Sequence, residues 1–163
     1  MLVRLSEREI RMAAGNAVER RMNRLRSGQG ERYEPAGARG LGSDFIGCLG
    51  ELAVAKFLGR YPLGFVEPGS PDVAGVEVRT IDRAGAALQV YPSDDAAAAC
   101  VLACVGDVFR EGVRLIGWIE CRAAQDVRFW SDSYARGVFL VPQLALRPVG
   151  ELPGFLSKGV VHG

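Results

Sequence analysis

Histidine is almost missing from this chain: among 163 residues there is one, His162, next to the last position. A residue there is expected to fray, so a Ser-His or Cys-His hydrolase and a histidine-based zinc site are both disfavoured. Long apolar runs are missing too. None approaches the roughly 18 residues that a membrane-crossing helix needs. The opening Met1-Leu2-Val3-Arg4-Leu5-Ser6-Glu7 turns charged before a signal-peptide core could form, so the expected compartment is a cytoplasm. The four cysteines, Cys48, Cys100, Cys104 and Cys121, lack the close pairs of a zinc ribbon, and a reducing compartment disfavours bridges between them; they are expected to be small core residues. Net charge is nearly absent at +1. Its distribution is uneven, because residues 1–26 hold seven arginines against three glutamates.

What is present is ordinary for a soluble globular protein, with 48% apolar and 24% charged residues. The length suits one domain over 1–163 that needs no disulfide to bury about two thirds of its unfolded surface. From Ser6 to about Arg26, Ile10, Ala14, Ala17, Val18, Met22 and Leu25 recur at steps of three and four, which predicts an amphipathic helix. Ser6 is its expected N-cap and Glu9 closes a capping box. Arg8, Arg11, Arg20, Arg21 and Arg24 fall mostly off the apolar stripe, either as a solvated face or as a phosphate-contacting one, since guanidinium grips phosphate bidentately. The Gly-rich stretch 27–42 predicts a flexible loop or a flap. A second helix is expected from Ser43 or Asp44 to Leu58, apolar over much of its circumference and buried against a sheet. Phe65-Val66 is a candidate short strand. Val73 to Ile81, Ala87 to Tyr91, Cys100 to Val105, Val113 to Cys121 and Gly137 to Pro142 follow as candidate strands, the first two as a hairpin turning at Gly85. Residues 150–163 are expected to be a loose tail. The fold class is α+β: two N-terminal helices packed on a mixed, largely meander sheet of about four to five strands. Trp118 and Trp130 are read as core residues rather than base-stacking platforms.

Three acids stand in apolar settings where a solvated carboxylate is least expected: Glu51 among Leu49, Leu52 and Val54, Asp72 in Pro71-Asp72-Val73, and Glu77 in Val76-Glu77-Val78. An unpaired buried carboxylate costs several kcal/mol (roughly) or takes up a proton, so each needs a partner. A hard divalent cation serves all three at once. The local alternatives are an arginine of the first helix for Glu51, the turn's own backbone for Asp72, and Arg79 for Glu77. In a strand, Glu77, Arg79 and Ile81 share one face and Val76, Val78 and Thr80 the other. Asp94-Asp95 is expected in a turn.

Helical Glu51, then Pro71-Asp72, then strand-borne Glu77-Val78-Arg79, resembles the signature of the PD-(D/E)XK nuclease superfamily. Val76-Glu77-Val78-Arg79-Thr80, Leu88-Gln89-Val90-Tyr91-Pro92-Ser93-Asp94, Ile116-Gly117-Trp118-Ile119 and Phe139-Leu140-Val141-Pro142 are similar to small phage-type proteins of that superfamily. The resemblance covers about Gly47 to Val149. It implies a restriction-endonuclease-like core and hydrolysis of DNA phosphodiesters with Mg²⁺, or Mn²⁺ in its place. Asp72 and Glu77 would hold the ion with the carbonyl of Val78, Glu51 would assist through a second ion or a water, and Gln89, on the neighbouring strand, would orient the nucleophile or contact phosphate. Where the family pattern has Lys this chain has Arg79, which stays charged and can only neutralise the transition state. The same resemblance allows a nuclease-fold protein that binds nucleic acid or a host protein without cleaving it, in the host cytoplasm if the gene belongs to a phage.

Overall fold

A computed structural model describes residues 1–26, 38–60, 72–73, 75–133 and 137–159. The expected Phe65-Val66 strand, Pro71, most of the Gly-rich stretch and His162 lie outside them. Helix α1 (Glu7–Arg26) begins where the sequence predicts. Glu9 N donates to Ser6 Oγ at 3.3 Å and Ser6 N donates back to Glu9 Oε2 at 2.6 Å, which satisfies donors that a helix start leaves open. Helix α2 (Ala38–Leu58) starts earlier than the expected Ser43 or Asp44, so 38–42 belong to the helix and not to a loop. Glycine content suggested the loop, but Gly40 has a packing role. A Cβ there would lie 1.7 Å from Arg21 Nη2, so glycine lets the arginine of α1 cross close to α2.

The described helices and strands form three layers, with α1 and α2 over a four-stranded sheet and a three-stranded sheet beneath it. Strand β1 (Leu2–Val3), β2 (Val76–Ile81), β4 (Ala99–Val105) and β5 (Val113–Glu120) make the larger sheet in the order β1-β5-β4-β2. Strand β3 (Leu88–Val90), β6 (Trp130–Ser131) and β7 (Val138–Val141) make the smaller one in the order β3-β7-β6. The expected β2–β3 hairpin does not form. Strand β2 runs parallel to β4, with Glu77 opposite Cys100 and Arg79 opposite Leu102, while β3 crosses to the smaller sheet and pairs with β7. Strand β4 has a cover on both faces and so reads as one apolar run. Ala99, Val101, Ala103 and Val105 face the helices, and Cys100 and Leu102 face the small sheet.

A bulge sets the side of Trp118. Leu102 pairs with Gly117 but Ala103 pairs with Leu115, so Ile116 is the extra residue. Val113 and Leu115 face the helices, and the extra residue shifts the alternation so that Trp118 does as well. Its indole donates to Pro148 O at 3.1 Å and its ring meets Phe155 at 4.8 Å between centroids. Phe155 belongs to α4 (Leu152–Gly159), and Val149 and Leu152 are buried. The expected loose tail is therefore helical through residue 159 and docked on the core by Leu152, Phe155 and Leu156. On α1, Ile10, Ala13 and Ala17 are buried, whereas Val18, Met22 and Leu25 of the expected stripe are exposed. The helix is rotated from its apolar stripe because its arginines reach acids on α2.

Gly50 brings α2 down onto β2. A Cβ at this position would sit 2.0 Å from Thr80 Oγ1, so Gly50→Ala is expected to destabilise the fold by about 1–3 kcal/mol through overpacking. The roughly 1 kcal/mol that alanine adds to helix propensity offsets only part of that. A urea midpoint equal to or above the wild type would show that the notch can relax.

Candidate functional site at the edge of β2

Strand β2 is an outer strand of its sheet, and its free side would expose backbone donors and acceptors. The chain guards this side locally. Val76 N donates to Val73 O at 2.7 Å and Val73 N donates back to Val76 O at 3.1 Å. Gly75, at φ +82°, supplies the left-handed conformation this reversal needs. The reversal lays Asp72 alongside β2, where Asp72 Oδ2 accepts from Val78 N at 2.8 Å. Asp72 thus satisfies a backbone donor, but one of strand β2 and not of its own turn.

Arg79 is the centre of the site. Its Nη2 donates to both carboxylate oxygens of Asp94, at 2.8 and 2.7 Å. Its Nη1 lies 3.1 Å from Glu77 Oε2, 3.5 Å from Val78 O and 3.8 Å from Asp72 Oδ2. The guanidinium carbon sits 5.4 Å from the centroid of the Tyr91 ring. Burial works against the charge on Arg79, but Asp94, Glu77 and Asp72 more than offset it and raise the guanidinium above its ordinary value. Burial also pushes the Glu77 carboxyl above its ordinary value, against the pull of Arg79 and with a further push from Asp72 and Asp94.

Asp94 is held rigidly. Its Oδ2 accepts from Tyr91 N at 2.9 Å, and its carbonyl accepts from Gln125 Nε2 at 3.0 Å. Gln125 closes α3 (Cys121–Ala124), which follows β5 directly. The start of α3 is tied to β4 by a disulfide between Cys100 and Cys121. This corrects the expectation of unbridged cysteines. Their separation of 21 residues gave no hint of pairing, but the antiparallel β4–β5 register sets their Cα atoms 5.7 Å apart. Cys48 remains a thiol, and burial pushes it up to about 11.

Glu51 is not part of the oxygen cluster around Arg79 Nη1, contrary to the expectation of three acids on one ion. It accepts from both terminal nitrogens of Arg20, one at 2.6 Å. Burial raises the Glu51 carboxyl, opposed by Arg20 and reinforced by the charge of Asp72. Arg20 is raised in turn, chiefly by the hydrogen bond to Glu51. Two more of the expected phosphate-contacting arginines are also occupied: Arg21 and Arg24 pair with buried Asp44 at 3.1 and 3.0 Å. Arg8 and Arg11 are exposed, Arg11 beside Glu7. Gln89 does not sit on a strand adjacent to β2. It stands on the small sheet, accepts from Tyr91 Oη at 3.3 Å, and with Arg79 lines a cleft of about 370 Å³ whose walls include Thr80, Ile81, Arg83 and Leu140.

Among the described residues no group of three or more His, Cys, Asp or Glu side chains is placed to hold a metal ion. The smaller set that converges is two carboxylates and one peptide oxygen around Arg79 Nη1. A magnesium ion that keeps several of its waters is bound by sets of this size and chemistry, so these donors fit, with Arg79 as the competing cation. Sequence reasoning missed Asp94 as the anchor of Arg79. The available signal was the turn Tyr91-Pro92-Ser93-Asp94, but which charge the turn would meet depended on the packing of the two sheets. The architecture is thus a three-layer α+β protein with an arginine-centred acidic cluster at a sheet edge. No helix among the described residues is long and apolar enough to cross a membrane. Compared with known proteins, the chain matches no family model, no curated protein and no solved structure.

Proposed function

We propose that the chain hydrolyses DNA phosphodiesters with the help of Mg²⁺, in the manner of PD-(D/E)XK nucleases, at the outer edge of β2. One observation carries the reading: the oxygens of Asp72, Glu77 and Val78 that the resemblance assigns to a metal all surround a single point, which a guanidinium nitrogen now takes. Asp72 and Glu77 with the Val78 carbonyl are the residues that would hold the ion. The chemistry an ion would supply there is a water of lowered pKa and polarisation of the phosphoryl oxygen. Arg79 stays protonated throughout and neutralises charge on the phosphate. Gln89, which lines the same cleft as Arg79 and whose Oε1 accepts from Tyr91 Oη at 3.3 Å, would hydrogen-bond a water or a phosphate oxygen through its amide. Exposed Arg8 and Arg11 offer backbone contacts away from the cluster.

A second reading is favoured by the two bonds from Arg79 to Asp94. If that clamp keeps the site closed, the protein binds nucleic acid or a host protein and cleaves nothing. Incubation with duplex, branched and single-stranded DNA in Mg²⁺ or Mn²⁺ separates the two. Cleavage that Glu77→Gln lowers by at least about a hundredfold is the expected result, given what one charged group contributes at such a centre. Salt-sensitive binding without turnover selects the second reading, and absence of both cleavage and binding rejects DNA as the partner.

A further inference from the structure

The clamp on Arg79 has a consequence for cation binding, and it rests on the reading of Asp72 and Glu77 as cation ligands. Three carboxylates, those of Asp72, Glu77 and Asp94, face one guanidinium. All four side chains are at least three-quarters buried, with Asp94 the most enclosed at 10% exposure. Their formal charges leave an excess of two negative charges, which one divalent cation cancels. Without Asp94 the excess falls to one, and Arg79 has only Glu77 and Asp72 left to pair with.

We infer that Asp94 is a positioning residue that keeps Arg79 as a resident cation beside the metal site and gives it a seat that does not use up Glu77 and Asp72. The two contacts of Arg79 are made by different nitrogens. Nη2 is committed to Asp94 by two short bonds, whereas Nη1 meets Glu77 at 3.1 Å and Asp72 only at 3.8 Å. The guanidinium can therefore pivot about Nη2 and withdraw Nη1 toward the cleft that Arg79 itself lines. Arg79 Nε makes no hydrogen bond in the present pose, so the pivot breaks nothing on that side. The seat itself does not move, because Tyr91 N and Gln125 Nε2 fix both ends of Asp94.

The test is titration of Mn²⁺ alone into the intact protein by calorimetry, with Asp94→Asn, Arg79→Gln and the double variant, each checked for folding by circular dichroism. Asp94→Asn is expected to weaken Mn²⁺ binding at least about tenfold, because Arg79 then falls back on Glu77 and Asp72 and competes with the ion at the strength of a charge-assisted hydrogen bond. In the Arg79→Gln background the same change is expected to matter less than about threefold, because the residue acts through the arginine. Asp94→Glu is expected to restore binding to near the wild type. Equal losses in both backgrounds, or binding by Asp94→Asn as tight as the wild type, overturn the inference and leave Asp72 and Glu77 as ligands. Failure of every protein, Arg79→Gln included, to bind Mn²⁺ overturns the cation site and this inference together. If Arg79→Gln does not fold, a wild-type crystal soaked in Mn²⁺ decides. The expected result is Mn²⁺ between Asp72 and Glu77 with Arg79 still on Asp94, and Arg79 released from Asp94 overturns the inference.

Discussion

Arg79→Leu is expected to lower the unfolding free energy by about 3–5 kcal/mol, the cost of leaving buried charges without their partner. The guanidinium is 22% exposed and is the common counter-ion of Asp72, Glu77 and Asp94. The effect depends on pH. Burial already raises the Glu77 carboxyl above its ordinary 4.5, so between that value and its folded value the native state binds more protons than the unfolded chain. Stability from this group is then greatest below 4.5 and is lost as pH rises through the folded value. Removing Arg79 raises that folded value further, so the damage is greatest above that value and fades on acidification. Urea unfolding of both proteins at several pH values measures this. A difference between them that is flat across pH would mean that Arg79 contributes by packing against Tyr91 and not by charge. Added Mg²⁺ is expected to recover part of the loss, since a ligand that binds only the native state stabilises it by mass action.

Reducing the Cys100–Cys121 bridge is expected to cost about 3 kcal/mol, the loop-closure contribution for a separation of this size. The bridge spans 21 residues and both sulfurs are buried. It joins β4 to the first residue of α3, and Gln125 at the far end of that helix holds the carbonyls of Tyr91 and Asp94. Loss of the bridge therefore loosens the seat of Arg79 as well as the second core cluster. Denaturation with and without dithiothreitol, with thiol counts taken in the unfolded state, measures the effect. An unchanged midpoint once all four thiols are free would show that packing alone holds α3 in place.

The candidate site was legible in part. Glu77 and Arg79 on one face follow from the alternation of a strand, and the closeness of Asp72 follows from a turn that Gly75 permits. Glu51 was recognised as a buried acid in need of a partner, but its partner is Arg20, 31 positions away. Nothing along the chain distinguishes that guanidinium from a divalent ion. Asp94 was legible as a turn residue and not as the anchor of Arg79, because the contact crosses between the end of β3 and the face of β2. The mistaken hairpin has the same origin. A turn at Gly85 is compatible with antiparallel return, yet β4 buries more apolar surface beside β2 than the three residues of β3 can.

Residues along the chain settle what depends on neighbours within a turn or two: the Ser6–Glu9 cap, the two helices, the period-two strands and the pairing of Glu77 with Arg79 on one side. Tertiary structure alone decided the parallel β2–β4 pairing, the split into two sheets, the Cys100–Cys121 bridge and the partners of Glu51 and Asp94. The physical reason is that periodicity states which face is apolar but not what will cover it. A buried carboxylate accepts whichever cation the assembled layers bring within reach.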